Sequence, residues 1–171
     1  SPSTPTVGTE ITFNAEASTD PDEDIVSYEW SFGDGTSASG QTVTHQYGDF
    51  GTNTVILTVT DSFGNEDTFS QEVRISGEPQ ADFTIEPESP TVSEAVRFNA
   101  TISSDPDGDI ESYEWAFGDG STATGDVVQH EFTSSAVYDV SVRVTDSVGN
   151  IDITTKTLNV SASPTAEFTY N

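Results

Sequence analysis

The chain repeats itself at a fixed offset. Asn14-Ala15 returns at Asn99-Ala100, Asp20-Pro21-Asp22 at Asp105-Pro106-Asp107, and Tyr28-Glu29-Trp30 at Tyr113-Glu114-Trp115. Phe32-Gly33-Asp34-Gly35 returns at Phe117-Gly118-Asp119-Gly120, and Thr60-Asp61-Ser62 at Thr145-Asp146-Ser147, every pair 85 residues apart. Residues 2–75 and 87–160 align without a gap and share 33 identities in 74 positions. Whatever fold this chain adopts must therefore be built twice, each time around a small core of its own. The same offset carries Pro79, Ala81, Phe83 and Thr84 to Pro164, Ala166, Phe168 and Thr169, where a third copy begins.

Within a copy the hydrophobic period is two. Tyr28, Trp30 and Phe32 alternate with Ser27, Glu29 and Ser31; Val55, Leu57 and Val59 alternate with Thr54, Thr58 and Thr60. Such alternation gives a strand with one apolar and one polar face. Asp-Pro-Asp, Gly-Asp-Gly and Phe63-Gly64-Asn65 punctuate the strands as turns, and no stretch has helical spacing. About seven short strands in roughly 85 residues predict an all-β, immunoglobulin-like sandwich. The expected organisation is a sandwich over 1–76 that lacks its first strand, a complete one over 77–161, and a linker with a first strand over 162–171. That last strand serves either a following repeat or, as a donor, another subunit. Ser76-Gly77-Glu78-Pro79-Gln80 and residues 161–165 read as short proline-stiffened linkers, giving tandem beads on a semi-rigid rod. Ser1, Glu86 and Asn171 share one phase of the repeat, and the opening Ser1-Pro2-Ser3 reads as the interior of a longer pattern.

Charge narrows the partners. Four Lys and Arg against 30 Asp and Glu give a formal net charge of -26. Such a chain repels nucleic-acid phosphates and anionic membrane surfaces, and no run of about 18 apolar residues is present to insert into a bilayer. Self-repulsion of this size is relieved by salt; with Lys156 the single lysine, the composition suggests a halophilic source, the alternative being a solvated acidic surface on an ordinary secreted protein. There is no cysteine, which removes disulfides and thiolate chemistry.

The run Tyr-Glu-Trp-x-Phe-Gly-Asp-Gly at 28–35 and 113–120 resembles the PKD (polycystic kidney disease) domain family. The preceding Ser-x-Asp-Pro-Asp-x-Asp-Ile and the following Val-Thr-Asp-Ser-x-Gly-Asn belong to the same resemblance, which covers nearly the whole chain. It implies an immunoglobulin-like β-sandwich without catalytic activity, of the kind found in surface-layer proteins, in adhesins, and beside secreted proteases and chitinases. The family's Gly-x-Tyr before the sixth strand appears as Ala136-Val137-Tyr138, whereas the first copy has Gly51-Thr52-Asn53. If Tyr138 forms a tyrosine corner, the first copy is expected to be the less stable.

Catalysis finds little support in these residues. The two histidines, His45 and His130, are equivalent, and His45 alternates with Val43 and Tyr47 as a partly buried structural residue would. Asp34 and Asp119 sit between glycines, where a carboxylate accepts turn amides. Trp30 and Trp115 alternate with Tyr and Phe, which reads as core packing ahead of sugar stacking. Calcium is the stronger expectation. Asp20-x-Asp22-x-Asp24 and Asp105-x-Asp107-x-Asp109 each put three carboxylates on the loop between the second and third strands. Asp61 and Asp146 open the loop between the sixth and seventh strands, at the same end of an immunoglobulin-like sandwich. Oxygen ligands converging from two loops suit Ca²⁺. By analogy with calcium-binding members of the family, the resemblance implies Asp105, Asp107 and Asp146 in the second copy, with linker atoms near Gly77 and Glu78. Asp20, Asp22 and Asp61 correspond in the first. Asp24 and Asp109 are weaker candidates, because alternation turns them toward solvent, and Glu23 in place of Gly108 is expected to strain the first loop.

The functional expectation is an extracellular or cell-surface structural repeat of a surface layer, stalk or filament, joined head to tail to neighbouring copies through the C-terminal strand. The alternatives are an adhesive segment that binds a polysaccharide or cell-surface ligand, and an accessory domain of a secreted hydrolase such as a protease or chitinase.

Overall fold

The computed structural model describes residues 4–170, and its secondary structure is entirely β. The chain divides into two compact units between Gly77 and Glu78. In the first, β1 (Glu10–Asn14) pairs antiparallel with β4 (Thr42–Gln46). The facing sheet has β3 (Ser37–Ser39), β2 (Ile25–Ser31), β5 (Gly51–Asp61) and β6 (Glu66–Ile75) in that order. The second unit repeats this plan with one strand more. Its smaller sheet is β11 (Val127–Glu131), β8 (Ala95–Asn99) and β7 (Thr84–Glu86); its larger is β10 (Thr122–Thr124), β9 (Ile110–Ala116), β12 (Ala136–Asp146) and β13 (Ile151–Val160). Among the described residues no helix is long and apolar enough to cross a membrane.

Alternation produces the core. Val140, Val142 and Val144 on β12 are fully buried, as are Val96 and Phe98 on β8. Trp115 and Phe117 complete the inner face of the central strand and pack on Phe98, with ring centroids 5.7 and 5.1 Å away. A buried indole must still satisfy its N–H. Trp115 Nε1 donates to the Gly125 carbonyl at 2.8 Å, and Trp30 Nε1 to the Gly40 carbonyl at 2.9 Å. Both tryptophans are thus held inside the sandwich and offer no platform to a sugar.

The Gly-Asp-Gly turn leaves that core immediately. Gly118 has a φ of +80°, and a Cβ there would lie 2.8 Å from the Asp139 carbonyl oxygen on β12, so only glycine lets the turn approach the sheet. Asp119 Oδ1 accepts from the Ser121 amide at 2.9 Å, and its Oδ2 accepts from His130 Nε2 at 2.7 Å. The imidazole stacks on Phe117 at 4.2 Å. Asp34, Thr36, His45 and Phe32 repeat the arrangement, with 2.7 Å from His45 Nε2 to Asp34 Oδ2 and 4.1 Å between the rings. Each histidine therefore ties the turn to a strand of the opposite sheet.

Each unit also joins the segment before β1 or β8 to the end of its last strand. Thr6 forms a parallel bridge with Ser76, and Thr91 one with Ser161. Val92 N donates to the Ser161 carbonyl at 2.9 Å, while Ser161 N donates to the Pro90 carbonyl at 3.0 Å.

The units differ at the tyrosine. Tyr138 donates its hydroxyl proton to the Ser134 carbonyl at 2.9 Å and stacks on Phe132 at 4.4 Å, the hydrogen bond a tyrosine corner makes. Asn53 stands at the equivalent place, but Tyr47 replaces Phe132 and donates to the Phe32 carbonyl at 3.0 Å from a buried position. Burial, with the Asp34 charge behind it, pushes the Tyr47 hydroxyl up to about 12. The first unit has thus moved a phenol into its core instead of losing one.

Tyr138→Phe should cost the second unit about 1 kcal/mol, the net worth of one hydrogen bond, read from urea unfolding; no change would show that the corner is decorative. The turn carboxylates predict an acid limb. The Thr36 hydroxyl, then its amide and His45, overcome partial burial to lower the Asp34 carboxyl to about 2. For Asp119, burial raises the carboxyl, and Ser121 and His130 more than offset it, leaving about 2. Carboxyls depressed from the usual 3.8 contribute stability that is complete above about pH 4 and lost as pH falls toward 2. Unfolding measured from pH 5 to 2 should therefore flatten in the Asp34→Asn, Asp119→Asn double variant, which should also be less stable than the parent at neutral pH.

Candidate metal site

One end of each sandwich collects its acids. In the second unit the loop from β8 to β9 turns sharply at Gly108, whose φ is +72°. Asp105 Oδ1 accepts from the amides of Asp107 at 2.7 Å and Gly108 at 3.1 Å, which folds the loop around its own carboxylate. That leaves Asp105 Oδ2 buried with no hydrogen-bond partner. Carboxylate oxygens of Asp105, Asp107 and Asp109 lie within 4.8 Å of one another. Burial, and then the charges of Asp109, Asp107 and Asp146 against a single opposing bond from the Asp107 amide, push the Asp105 carboxyl above its ordinary value. A cation beside it would reverse that shift.

The adjoining turn is organised separately. Asp146 is fully buried; its Oδ1 accepts from the Val148 and Asn150 amides at 3.0 and 2.7 Å, and its Oδ2 from Asn150 Nδ2 at 2.7 Å. Ser147 joins the two loops by donating through Oγ to Asp109 Oδ2 at 2.5 Å and through its amide to the Asp109 carbonyl at 3.1 Å.

In the first unit the acids that converge are Asp20, Asp24 and Asp61, again within 4.8 Å. Asp22 stays exposed and gives only its amide, to Asp20 Oδ1 at 2.7 Å. Asp61 repeats the Asp146 pattern with Phe63 and Asn65; the Asn65 side chain leads the bonds that lower its carboxyl. Ser62 Oγ donates to Asp24 Oδ2. Glu23 takes up the conformation that glycine has in the second loop, at a φ of +59°, where an L side chain costs about 1–2 kcal/mol.

The geometry therefore regroups the expected residues. Asp105 and Asp107 come together as anticipated, but Asp109 joins them while Asp146 is engaged by its own turn. Asp20 and Asp61 converge with Asp24 in the place expected for Asp22. Strict alternation fails here because the left-handed residue at Glu23 or Gly108 breaks the strand before the last aspartate. The signal available in the sequence was the serine after Asp61 and Asp146, a hydroxyl placed to reach across. Three carboxylates, one with a free buried oxygen, are a donor set that fits a hard oxygen-seeking cation.

The histidines bear on catalysis. Ser121 Oγ stands 3.3 Å from His130 Nε2, with Asp119 Oδ2 at 2.7 Å from the same nitrogen. A hydrolytic triad uses the two ring nitrogens for different partners, one for the acid and one for the hydroxyl. Here acid and hydroxyl share one nitrogen, and the serine donates to Asp119 Oδ1 instead. The cluster holds a turn and cannot pass a proton through the ring. It went unread in the sequence, although Asp and His recur together at the same places in both copies.

Comparison with known proteins agrees with this architecture. The PKD domain family matches residues 1–77 and 76–162. A microbial collagenase of Vibrio alginolyticus is 50% identical over 70 residues, 41% of this chain and 9% of that protein. The pre-pro-metalloprotease PrtV of Vibrio cholerae is 34% identical over 148 residues, 84% of this chain and 15% of that protein. A solved structure from work on carbohydrate-binding modules of the β-sandwich superfamily is 37% identical, covering 52% of this chain and 36% of that one at a TM-score of 0.50. The chain spans between 8% and 15% of the length of the curated relatives it matches. With both copies matched end to end, the chain belongs to the PKD domain family.

Proposed function

We propose that this chain is an extracellular, non-catalytic accessory segment of a larger secreted hydrolase, in which two sandwiches space and position a catalytic domain on its substrate. The observation that carries this reading is the company its relatives keep: collagenases and a metalloprotease, of each of which the matching segment is a small part. The single-nitrogen geometry of His130 supports a non-catalytic role, as does the buried state of both tryptophans. Similarity to part of a solved structure from work on carbohydrate-binding modules supports a polysaccharide as one target surface. The structural-repeat reading, a unit of a surface layer, stalk or filament, is favoured by a different observation, the gapless 85-residue duplication with a third copy beginning after it. The full-length reading frame separates the two. An adjoining protease, collagenase or glycosidase domain is expected; a long run of further copies with no catalytic domain would overturn the accessory reading in favour of the array.

The acidic ends bind calcium in this reading. Asp105, Asp107 and Asp109 would hold the ion in the second unit, and Asp20, Asp24 and Asp61 in the first. Asp146 and Asp61 would stiffen the turn beside it. Bound calcium would neutralise the mutual repulsion of these carboxylates and fix the two loops to one another. An ion held only by the folded form stabilises it by about 2.7 kcal/mol at a hundred times its dissociation constant. Melting in calcium should therefore exceed melting in chelator at matched ionic strength. Asp105→Asn with Asp109→Asn should abolish the difference for the second unit, while Glu23→Gly should tighten binding in the first. Identical melting with and without calcium would remove the proposal.

A further inference from the structure

Each sandwich has an Asp-Gly pair in the turn that leaves its core, Asp34-Gly35 and Asp119-Gly120. This dipeptide is chemically weak, because glycine carries no side chain to shield its own amide nitrogen. That nitrogen can attack the aspartyl Cγ. An N–Cγ bond forms, and the neutral carboxyl loses its hydroxyl, which leaves as water with the amide proton. Water then opens the five-membered imide. Breaking the new N–Cγ bond restores aspartate. Breaking the bond to the main-chain carbonyl instead leaves the chain running through Cβ and Cγ as isoaspartate, unchanged in mass.

The fold requires this pair in both turns. Gly35 and Gly120 have φ of +90° and +93°, a conformation that refuses an L side chain although the space beside it is open. Asp34 and Asp119 accept the Thr36 and Ser121 amides at 3.0 and 2.9 Å, which closes each turn. All four residues are exposed to water. The remaining Asp-Gly pair, Asp107-Gly108, lies in the acid loop and has no counterpart in the first sandwich, where Glu23 follows Asp22.

The two turns share a donor brought from the opposite sheet. His45 on β4 and His130 on β11 each bond a carboxylate Oδ2 through Nε2 at 2.7 Å, while Oδ1 accepts the Thr36 or Ser121 hydroxyl as well as the amide. Neither oxygen is free to leave. The imidazoles are themselves fixed. His45 stacks on Phe32 at 4.1 Å and meets Tyr47 edge-on at 4.6 Å; His130 stacks on Phe117 at 4.2 Å and meets Phe132 edge-on at 4.7 Å. The turn amide alone would close the turn, so the ring does something further. We infer that Asp34-Gly35 and Asp119-Gly120 are latent sites of aspartate isomerisation, and that His45 and His130 suppress it by holding the carboxylate fixed. Ionisation acts in the same direction, since the reacting form is the neutral carboxyl. The Thr36 donors and then His45 bring Asp34 to about 2, and Ser121 and then His130 do so for Asp119 against the burial that raises it. Relative to an ordinary carboxyl at 3.8, the neutral form is about 60-fold scarcer. Isoaspartate would carry its free carboxyl directly on Cα, out of reach of these donors, so turn and cross-sheet tie would be lost together.

Ageing the chain tests this. It is held for weeks at body temperature in mildly acidic buffer, and isoaspartate is located by resistance to an endoprotease that cuts before aspartate and by separation of the equal-mass peptides. The folded parent should accumulate far less isoaspartate at 34 and 119 than the same chain kept unfolded in guanidinium chloride. His130→Phe keeps a ring between Phe117 and Phe132 but brings no donor. It should raise the rate at Asp119 several-fold and leave Asp34 unchanged, and His45→Phe should do the reverse, so each variant contains its own control. Equal rates in the parent and both variants overturn the inference, as does a folded parent that rearranges as fast as the unfolded chain. So does acceleration of both turns by either single substitution, the mark of general loosening.

Discussion

A tryptophan in the middle of a sandwich has to lose its water on all sides and still find an acceptor for one N–H. Trp115 and Trp30 both solve this by donating to the carbonyl of a glycine at the start of the strand-to-strand turn, Gly125 or Gly40. That bond sets where the short edge hairpin ends, and the ring sets the separation of the sheets. Phe117 and Phe32 follow two residues later on the same face, and the Gly-Asp-Gly turn leaves from them. The turn acids then capture a histidine from the opposite sheet. Core, turn and cross-sheet tie are thus one continuous construction around a single indole.

Electrostatics work against that construction. A net charge of -26 over 171 residues repels itself, and the fold gathers part of this charge at one end of each sandwich. The acids that stabilise are those surrounded by donors, as Asp34, Asp119 and Asp61 are. Asp105 is the opposite case, raised by burial and by its acidic neighbours. The same side chain type therefore fastens turns in one place and loads a loop with repulsion in another, and the difference lies in how many N–H and O–H groups face it.

Much of the fold was legible because period-two alternation and the gapless offset say the same thing twice. Tyr28-Glu29-Trp30 and Val140-Ser141-Val142 can only be strands with one inward face, and both are. The loops were less legible. Between Asp20 and Asp24 the backbone passes through a left-handed residue, so counting odd and even positions no longer tells which acid turns inward. Asp24 and Asp109 lie within the acid clusters for that reason, although alternation turns them toward solvent. Pairing between Asp34 and His45 crosses from one sheet to the other, a relation that no local window contains. The Tyr47 hydroxyl was invisible in the same way, since a phenol reaching Phe32 fifteen residues back depends on how the sheets stack.

The parallel bridges that join the segment before β1 or β8 to the end of the last strand, Thr6 with Ser76 and Thr91 with Ser161, have a mechanical meaning. Tension applied to a sandwich through these two segments, in the second unit once β7 has been peeled away, runs along them in opposite directions. Hydrogen bonds that lie across the line of pull must then slide together, under shear, and cannot open one after another like a zip. Such a joint yields late and all at once. A module held in this way stays folded under loads that would peel an antiparallel terminal hairpin apart.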